Sequence, residues 1–525
     1  MRRALRAIVV VACCVTSAGA APPAWTHATP VVARHAMVVT EQREASEVGL
    51  RVLRTGGNAV DAAVAVGYAL AVVDQCCGNI GGGGFMVVRM HDGRERFIDF
   101  REVAPLRATR TMYLDARGNV VPMRSRRGWL AVGVPGSVMG LETARREFGT
   151  MPRAALVAPA VRLATSHGYA QLAATLSLIA NDGSRAFYRG KIARDIVAAS
   201  DAGGGILSMA DFARYRVQQS EPLHCAFHGY ALEAAPPPSS GGVTLCEILG
   251  ILAPYPIARW RWHGVRETHA IVEADRRAYA DRNAYLGDPA FVSNPVATLL
   301  SPAYLAGLRA SIDPNRATPS SAIHPGLASL YHEHPQTTHY SIVDSAGDAV
   351  AVTYTLNDYY GARVKVDGFY LNDEMDDFTS KPGVANMYGL VQGEANAIAP
   401  GKRPLSSMAP TIVTRDGRLV MVTGSPGGSR IITIVLETLV DVLEHHMNVA
   451  QAVDAPRIHM QWLPDEIEYE PGALRESTMT ALRRDGYRLR EFPFWGSAQA
   501  IVVTRAGLLE GGSDRRHPSG AAIGY

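Results

Sequence analysis

Lysine is nearly absent from this 525-residue chain, which has only four (Lys191, Lys365, Lys381 and Lys402) among its 52 basic residues. Arginine supplies the rest, and 49 acidic residues reduce the formal net charge to +3. A chain so close to neutrality gives no electrostatic reason to expect nucleic acid or an anionic membrane as a partner.

The N-terminus lacks an apolar run long enough to span a bilayer. Arg2, Arg3 and Arg6 precede a short apolar stretch, residues 7–18, whereas a spanning helix needs about 20 apolar residues. Residues 18–20, Ala-Gly-Ala, then supply the small-x-small pattern at which secretory signal peptides are cut. We therefore expect residues 1–20 to be removed and the mature protein to be periplasmic or secreted, without a stable membrane anchor.

Cysteine is scarce, and two of the six cysteines lie in the expected signal peptide. Of the others, Cys76 and Cys77 are adjacent, which is poor geometry for a disulfide. Cys225 and Cys246 could pair in an oxidising compartment, although two free buried thiols fit the sequence equally well. No cysteine or histidine spacing is typical of a metal site, so we expect neither a metal nor a cofactor.

Several common catalytic and nucleotide-binding motifs are also missing. The chain has no Gly-x-Ser-x-Gly, no His-Glu-x-x-His and no Walker sequence. The glycine-rich run at 78–84 is followed by a predicted strand rather than by Lys-Ser/Thr and a helix, which argues against a phosphate loop. Close packing of the backbone against a neighbouring element is the better interpretation.

The chain does have ample material for a core, since 47% of its residues are hydrophobic. An almost wholly apolar helix is predicted over 59–73, capped by Asn58, and a second helix over about 265–286. After residue 336 the pattern changes to antiparallel pairs, 339–344 with 348–357 and 410–414 with 418–424, before a helix over about 429–446. Strand pairs with helices outside them predict a layered α+β protein.

Small hydroxyl and acidic residues concentrate at the strand ends and turns of the C-terminal third. They fall in residues 337–340, 353–357, 372–378, 403–408 and 424–430. Together with residues 56–66, 99–102, 236–242 and 279–282, these segments closely resemble the γ-glutamyltranspeptidases, a family of N-terminal-nucleophile hydrolases.

The resemblance implies an α+β, four-layer αββα sandwich built from two intertwined subunits of one autoprocessed precursor. The bond cut would be Gln336–Thr337, giving a large subunit 21–336 and a small catalytic subunit 337–525. Spacing alone does not choose Thr337 over Thr338. The implied activity is γ-glutamyl transfer and glutathione hydrolysis, with water, an amino acid or a dipeptide as acceptor, and without a cofactor.

An N-terminal threonine suits this chemistry on physical grounds. A threonine hydroxyl is a weak nucleophile that needs an adjacent base. Once Thr337 ends a chain, its α-amine has an unperturbed pKa of about 7.7–8.0, near the pH at which a general base works best. Cleavage therefore generates the base that the nucleophile lacks.

The resemblance also assigns roles to other residues, each named by its match to a family motif. Thr355 would orient the nucleophile, and the backbone of Gly427 and Gly428 would form an oxyanion hole, for which glycines before a helix are suited. The substrate's α-carboxylate would be held by Arg101, Ser406 and Ser407. Its α-ammonium would be held by Asn357, Glu374 and Asp377, with Tyr388 on a lid formed by loop 381–402.

Two alternatives remain open from the sequence. A glutaryl-type acylase has no ammonium to bind, so Asp377 would be a costly unpaired charge there. The second alternative is a non-catalytic homologue. It remains open because the segment 169–187 is shorter than the corresponding segment of relatives. For Asp281 and Arg282 we expect a structural ion pair.

Overall fold

The computed structural model describes residues 23–323 and 337–525. The expected signal peptide and Gln336 lie outside these residues. The strands of the described part are β1 (Val31–Ala33), β2 (Met37–Thr40), β3 (Gly83–Arg89), β4 (Glu95–Asp99), β5 (Gln218–Ser220), β6 (Leu223–Phe227), β7 (Tyr230–Ala234), β8 (Thr338–Val343), β9 (Ala349–Thr355), β10 (Lys365–Val366), β11 (Phe369–Tyr370), β12 (Thr411–Arg415), β13 (Arg418–Gly424), β14 (Ile458–His459), β15 (Ile467–Tyr469), β16 (Leu489–Glu491), β17 (Gln499–Val503), β18 (Leu509–Ser513) and β19 (Ala521–Gly524).

The α-helices of the described part cluster before residue 323, and three follow residue 337. They are α1 (Arg43–Arg54), α2 (Ala59–Val73), α3 (Ser137–Phe148), α4 (Arg153–Ser166), α5 (Ala170–Asp182), α6 (Ser184–Tyr188), α7 (Lys191–Ala202), α8 (Met209–Arg214), α9 (Gly241–Leu252), α10 (Val265–Tyr285), α11 (Val296–Leu299), α12 (Pro302–Ala310), α13 (Ile431–Leu443), α14 (Val449–Asp454) and α15 (Glu476–Arg484).

Two seven-stranded sheets form the centre of the fold. One has the order β19-β2-β8-β9-β3-β4-β5 and the other β1-β18-β17-β13-β12-β7-β6. The sheets pack face to face where β13 contacts β8 and β9 and where β17 contacts β8. On the outer faces, α1 and α2 cover the first sheet, while α9 and α13 cover the second. The predicted αββα sandwich is therefore confirmed.

Both predicted hairpins are present. β8 and β9 pair antiparallel with Thr338 opposite Tyr354, and β12 pairs with β13. The predicted helix after Asn58 is α2, whose N-terminus carries a reciprocal cap between Asn58 and Asp61. Its side chains are buried from Ala59 to Val72, as its apolar sequence requires.

Strands from both sides of residue 337 share one sheet. β2 lies before that position in the chain and pairs with β8, which lies after it. β3 and β9 form a second such pair, with Gly83 opposite Thr355. The hairpin of β8 and β9, which follows residue 337, is therefore held between two strands of the N-terminal part, β2 and β3.

The question left open for the cysteines is answered by the structure. Cys225 on β6 and Cys246 on α9 form a disulfide with a Cα–Cα distance of 5.9 Å, whereas Cys76 and Cys77 are free thiols. Among the residues described, no helix has both the length and the apolar character needed to cross a membrane.

Candidate active site

A single pocket brings together ten of the eleven residues expected at the site. The eleventh, Gly427, directly precedes a lining residue. The free space amounts to about 20 Å³, enough for about one water molecule, so side chains must move to admit a substrate. The ten are Arg101, Thr337, Thr355, Asn357, Glu374, Asp377, Tyr388, Ser406, Ser407 and Gly428.

Thr337 directly precedes β8 and lies across the sheet from the last residue of β9. Its side-chain hydroxyl donates to Thr355 Oγ1 at 3.3 Å. The same oxygen accepts the backbone N–H of Asn357 at 2.8 Å. Both threonines are buried, with Thr337 only 5% exposed. The backbone thus holds the Thr355 hydroxyl in the position at which it can fix the rotamer of Thr337.

Asn357 reaches the pocket by a different route from the one that the sequence suggested. The predicted strand extends to residue 357, but β9 ends at Thr355, and Asn357 has a φ of +78°. The direction of the Asn357 side chain is therefore set by a left-handed turn and not by the alternation of side chains along a strand. Its Nδ2 donates to the carbonyl of Asp373 at 3.1 Å, and its Oδ1 accepts a hydrogen bond from the Tyr388 hydroxyl.

Tyr388 covers the pocket from above rather than lying exposed on its loop. The side chain is 5% exposed, and its hydroxyl also contacts the carbonyl of Asn357 at 3.3 Å. Asn386 stabilises the local turn by accepting the backbone N–H of Tyr388 at 3.0 Å. Tyr388 thus ties the loop to Asn357 in the pocket that Thr337 also lines.

Gly427 and Gly428 have backbone conformations that a side chain would strain. Their φ values are +143° and +55°, and α13 begins three residues after Gly428. A Cβ added at Gly427 would lie 2.8 Å from Ile434 Cδ1. The positive φ values therefore favour glycine at both positions, and the backbone that lines the pocket with Thr337 lies at the positive end of a helix.

The groups expected to bind opposite ends of a substrate contact each other in this structure. Arg101 is fully buried, and its guanidinium forms ion pairs with Glu374 and Asp377. It also donates to the carbonyls of Pro404 and Leu405 at 3.2 and 3.3 Å. Buried charges need a partner, so the pocket satisfies its own charges internally.

Three carboxyl groups, those of Glu102, Glu374 and Asp377, surround the guanidinium of Arg101. Burial raises the pKa of Glu102 to about 7, although Arg101 opposes the rise. The pKa of Glu374 is also raised, first by burial and then by the neighbouring carboxylates. Burial alone would lower the pKa of Arg101, but Glu374, Asp377 and Glu102 raise it instead. An incoming ammonium group would therefore enter a region rich in carboxylates.

Arg282 is a pocket residue whose role the sequence did not reveal. The expected ion pair with Asp281 is wrong, because Asp281 accepts a hydrogen bond from the Tyr304 hydroxyl at 2.6 Å. Arg282 instead donates to Ser240 Oγ and Ser407 Oγ, both at 3.0 Å, and to Asn283 Oδ1 at 2.8 Å.

These partners of Arg282 are all neutral oxygens. Burial therefore lowers its pKa to about 10. In the sequence, Arg282 belongs to segment 279–282, which resembles the family, but this resemblance does not show where the Arg282 side chain points. The other lining residues that were not expected are Asn386, Leu390, Met408 and Ile431.

Comparisons with known proteins agree with this arrangement along most of the chain. The sequence profile described as Gamma-glutamyltranspeptidase matches residues 45–170 and 167–524, so the two matches meet at the start of the segment expected to be short. The glutathione hydrolase proenzyme of Pseudomonas sp. (strain A14) is 47% identical over 94% of this chain and 95% of its own length. The glutathione hydrolase proenzyme of Escherichia coli (strain K12) is 42% identical over 97% and 96%.

A solved structure extends the agreement to the fold. The cephalosporin acylase from Bacillus halodurans superposes with a TM-score of 0.83 at 25% identity, covering 94% of this chain and 97% of its own.

Proposed function

This chain belongs to the γ-glutamyltranspeptidase family, and from that membership we propose that it is a γ-glutamyltransferase and glutathione hydrolase that cuts its own backbone before Thr337. The products are a large subunit 21–336 and a small subunit 337–525. Expected loss of residues 1–20 makes the mature enzyme periplasmic or secreted.

The contact between Thr337 Oγ1 and Thr355 Oγ1 carries this proposal. A buried hydroxyl, held by a second hydroxyl and opening on a pocket of paired charges, is suited to acyl transfer from a zwitterionic donor. The α-amine that cleavage frees on Thr337 takes the proton of its own hydroxyl, and Oγ1 attacks the γ-carbonyl. The backbone N–H groups of Gly427 and Gly428 stabilise the oxyanion.

Collapse of the tetrahedral intermediate expels the donor's amine, which leaves with the proton held by the Thr337 α-amine. The γ-glutamyl ester on Thr337 remains. Water then adds to this ester and releases glutamate, or the amine of an amino acid or dipeptide adds and forms a new γ-glutamyl amide. Either step returns the proton to Thr337 Oγ1 and restores the enzyme.

Recognition of the glutamyl group rests on exchange of the internal ion pairs. The α-carboxylate would replace Glu374 and Asp377 as the partner of Arg101, with Ser406 and Ser407 as further donors. The α-ammonium would then bind to the carboxylates of Glu374 and Asp377, which are released from Arg101, and to Asn357. The acidic excess around Arg101 favours γ-glutamyl over glutaryl donors, because only the former brings a positive charge.

N-terminal sequencing and mass measurement of the purified full chain test the proposal. We expect two fragments, one beginning at residue 21 and one at Thr337, and release of the amine from a γ-glutamyl anilide. The variant Thr337→Ala should stay as one chain and be inactive. An uncut wild-type chain that turns over the anilide would contradict the mechanism, and an uncut chain without activity would favour a binding protein.

A further inference from the structure

A second cavity also has Thr337 in its lining, and it shares no other lining residue with the charged pocket. Its volume is about 230 Å³, and Thr337 shares its lining with Glu41, Cys77, Tyr359 and His517. None of these four was expected at the site. Since the glutamyl end would occupy the charged pocket, this cavity is where the other half of a donor, or an acceptor, would lie.

The wall of this cavity around Cys77 collects groups that bind metal ions. One ligand atom each from Asp74, Cys76 and Cys77 lies within 4.8 Å of the others. Both thiols are free, and Cys76 Sγ donates to Asp74 Oδ1 at 3.3 Å. Two sulfurs bound to one tetrahedral Zn²⁺ lie about 3.8 Å apart. A small movement of these side chains would therefore bring their ligand atoms to the spacing that Zn²⁺ needs.

Buried atoms without a hydrogen-bond partner occur both in this cluster and in the lining of the cavity. Asp74 is only 4% exposed, yet its Oδ2 has no hydrogen-bond partner among the described residues. His517 Nδ1 is likewise buried without a partner there. Such atoms are unfavourable unless something completes their coordination. Arg516, which also lines the cavity, is already engaged by Glu470 and Asp514.

We infer that Asp74, Cys76 and Cys77 form a binding site for a divalent cation with the ligand preferences of Zn²⁺, with water as the fourth ligand. Two thiolates and a carboxylate favour Zn²⁺ over the hard cations Mg²⁺ and Ca²⁺. Binding displaces one proton from each thiol to solvent and changes no oxidation state. A cation held here narrows the cavity beside Thr337, so it would inhibit turnover. This last consequence rests on the proposed function, whereas binding does not.

Cobalt titration of the purified, reduced full chain tests binding without any activity measurement. Co²⁺ bound to thiolates gives a ligand-to-metal charge-transfer absorption, which we expect to saturate at one equivalent and to disappear when Zn²⁺ is added. Cys77→Ser, Cys76→Ser and Asp74→Asn should each weaken Co²⁺ binding by at least about 10- to 100-fold, the loss typical of disturbed metal sites. The double variant Cys225→Ser/Cys246→Ser, which removes the disulfide, should keep the band.

Alkylation provides a second measurement that needs no variant. Zn²⁺ should protect Cys76 and Cys77 of the wild type from iodoacetamide, as read by peptide mass spectrometry. The inference is overturned if the wild type shows no charge-transfer band, if the band survives in all three single variants, or if Zn²⁺ leaves alkylation unchanged. If Zn²⁺ inhibits anilide turnover in the wild type but not in Cys77→Ser, the proposed inhibition is supported. If Zn²⁺ binds but does not inhibit, the inhibition is refuted and the binding site is not.

Discussion

Arg101 and Asp377 form a buried ion pair although 276 positions separate them in the chain. Arg101 follows β4, whereas Asp377 lies in a short helical turn, residues 374–377, near the pocket loop. The pair joins the N-terminal part to the segment after residue 337. It also places a cation and an anion where the two charged groups of an amino-acid substrate would need their counterparts.

Replacing Asp377 by Asn should impair γ-glutamyl turnover selectively. The change keeps the shape but removes the charge that would hold the α-ammonium, so we expect kcat/KM for a γ-glutamyl anilide to fall by about 100-fold. A glutaryl anilide, which lacks only the ammonium, should lose far less. Unaltered γ-glutamyl turnover would instead favour the acylase alternative.

Arg282 should contribute to recognition of the α-carboxylate. It is a buried cation whose hydrogen-bond acceptors are neutral, and it contacts Ser407 Oγ, so Arg282→Gln should raise KM for a γ-glutamyl anilide by about tenfold or more. A 4-aminobutyryl anilide lacks only the α-carboxylate and should be affected little. Equal losses on both substrates would mean that the residue acts on structure alone, and Arg282→Lys, which keeps the charge, provides the comparison.

The hydroxyl of Thr355 should matter more than its shape. Thr355→Val removes the partner of Thr337 Oγ1 while conserving volume, and we expect kcat in the processed fraction to fall by about 100-fold, as for a misplaced reacting group. Thr355→Ser restores the hydroxyl and should recover most of the activity. The amount of small subunit on a denaturing gel separates an effect on turnover from one on maturation. Full activity in the valine variant would remove Thr355 from the mechanism.

His263 should make stability fall at alkaline pH. Burial alone would lower its pKa, but Glu437, whose carboxylate lies 3.3 Å from Nε2, raises it from 6.5 to about 9. The charged pair therefore stabilises the fold fully below pH 6.5, and this contribution is lost as pH rises through about 9.

Thermal melting across this range should show a decline in wild-type Tm that is weaker in His263→Gln. The difference in unfolding free energy between the two proteins should reach at most about 3 kcal/mol at the acid end. His35→Gln, a change at an exposed histidine, provides the control and should follow the wild type. Parallel Tm curves for all three proteins would contradict the assignment.

Local patterns in the sequence were enough to predict the elements that carry the site. The Asn58 cap, the hairpin of β8 and β9 and the helix α13 each depend on residues a few positions apart. Motif resemblance then selected residues that the structure gathers in one pocket. It could do so because such motifs encode positions within a shared fold.

Partnerships between distant segments could not be predicted in this way. The direction of Arg282 depends on where α10 meets Ser240 and Ser407, and its neighbour Asp281 gave a misleading local partner. The pairing of Cys225 with Cys246 depends on α9 packing against β6. The strand was predicted to end at residue 357 rather than at Thr355 because an alternating pattern does not show where a strand stops, and here Asn357 has a positive φ.

The strands β2, β8, β9 and β3 are neighbours in one sheet, which affects how the protein would hold together after a cut before residue 337. Hydrogen bonds across the sheet, rather than the severed peptide link, would keep the two pieces together. Once denatured, however, those pieces would have to find each other again in solution, so recovery would slow on dilution. Such an enzyme would fold readily as one uncut chain, and its two cleaved pieces would refold together poorly.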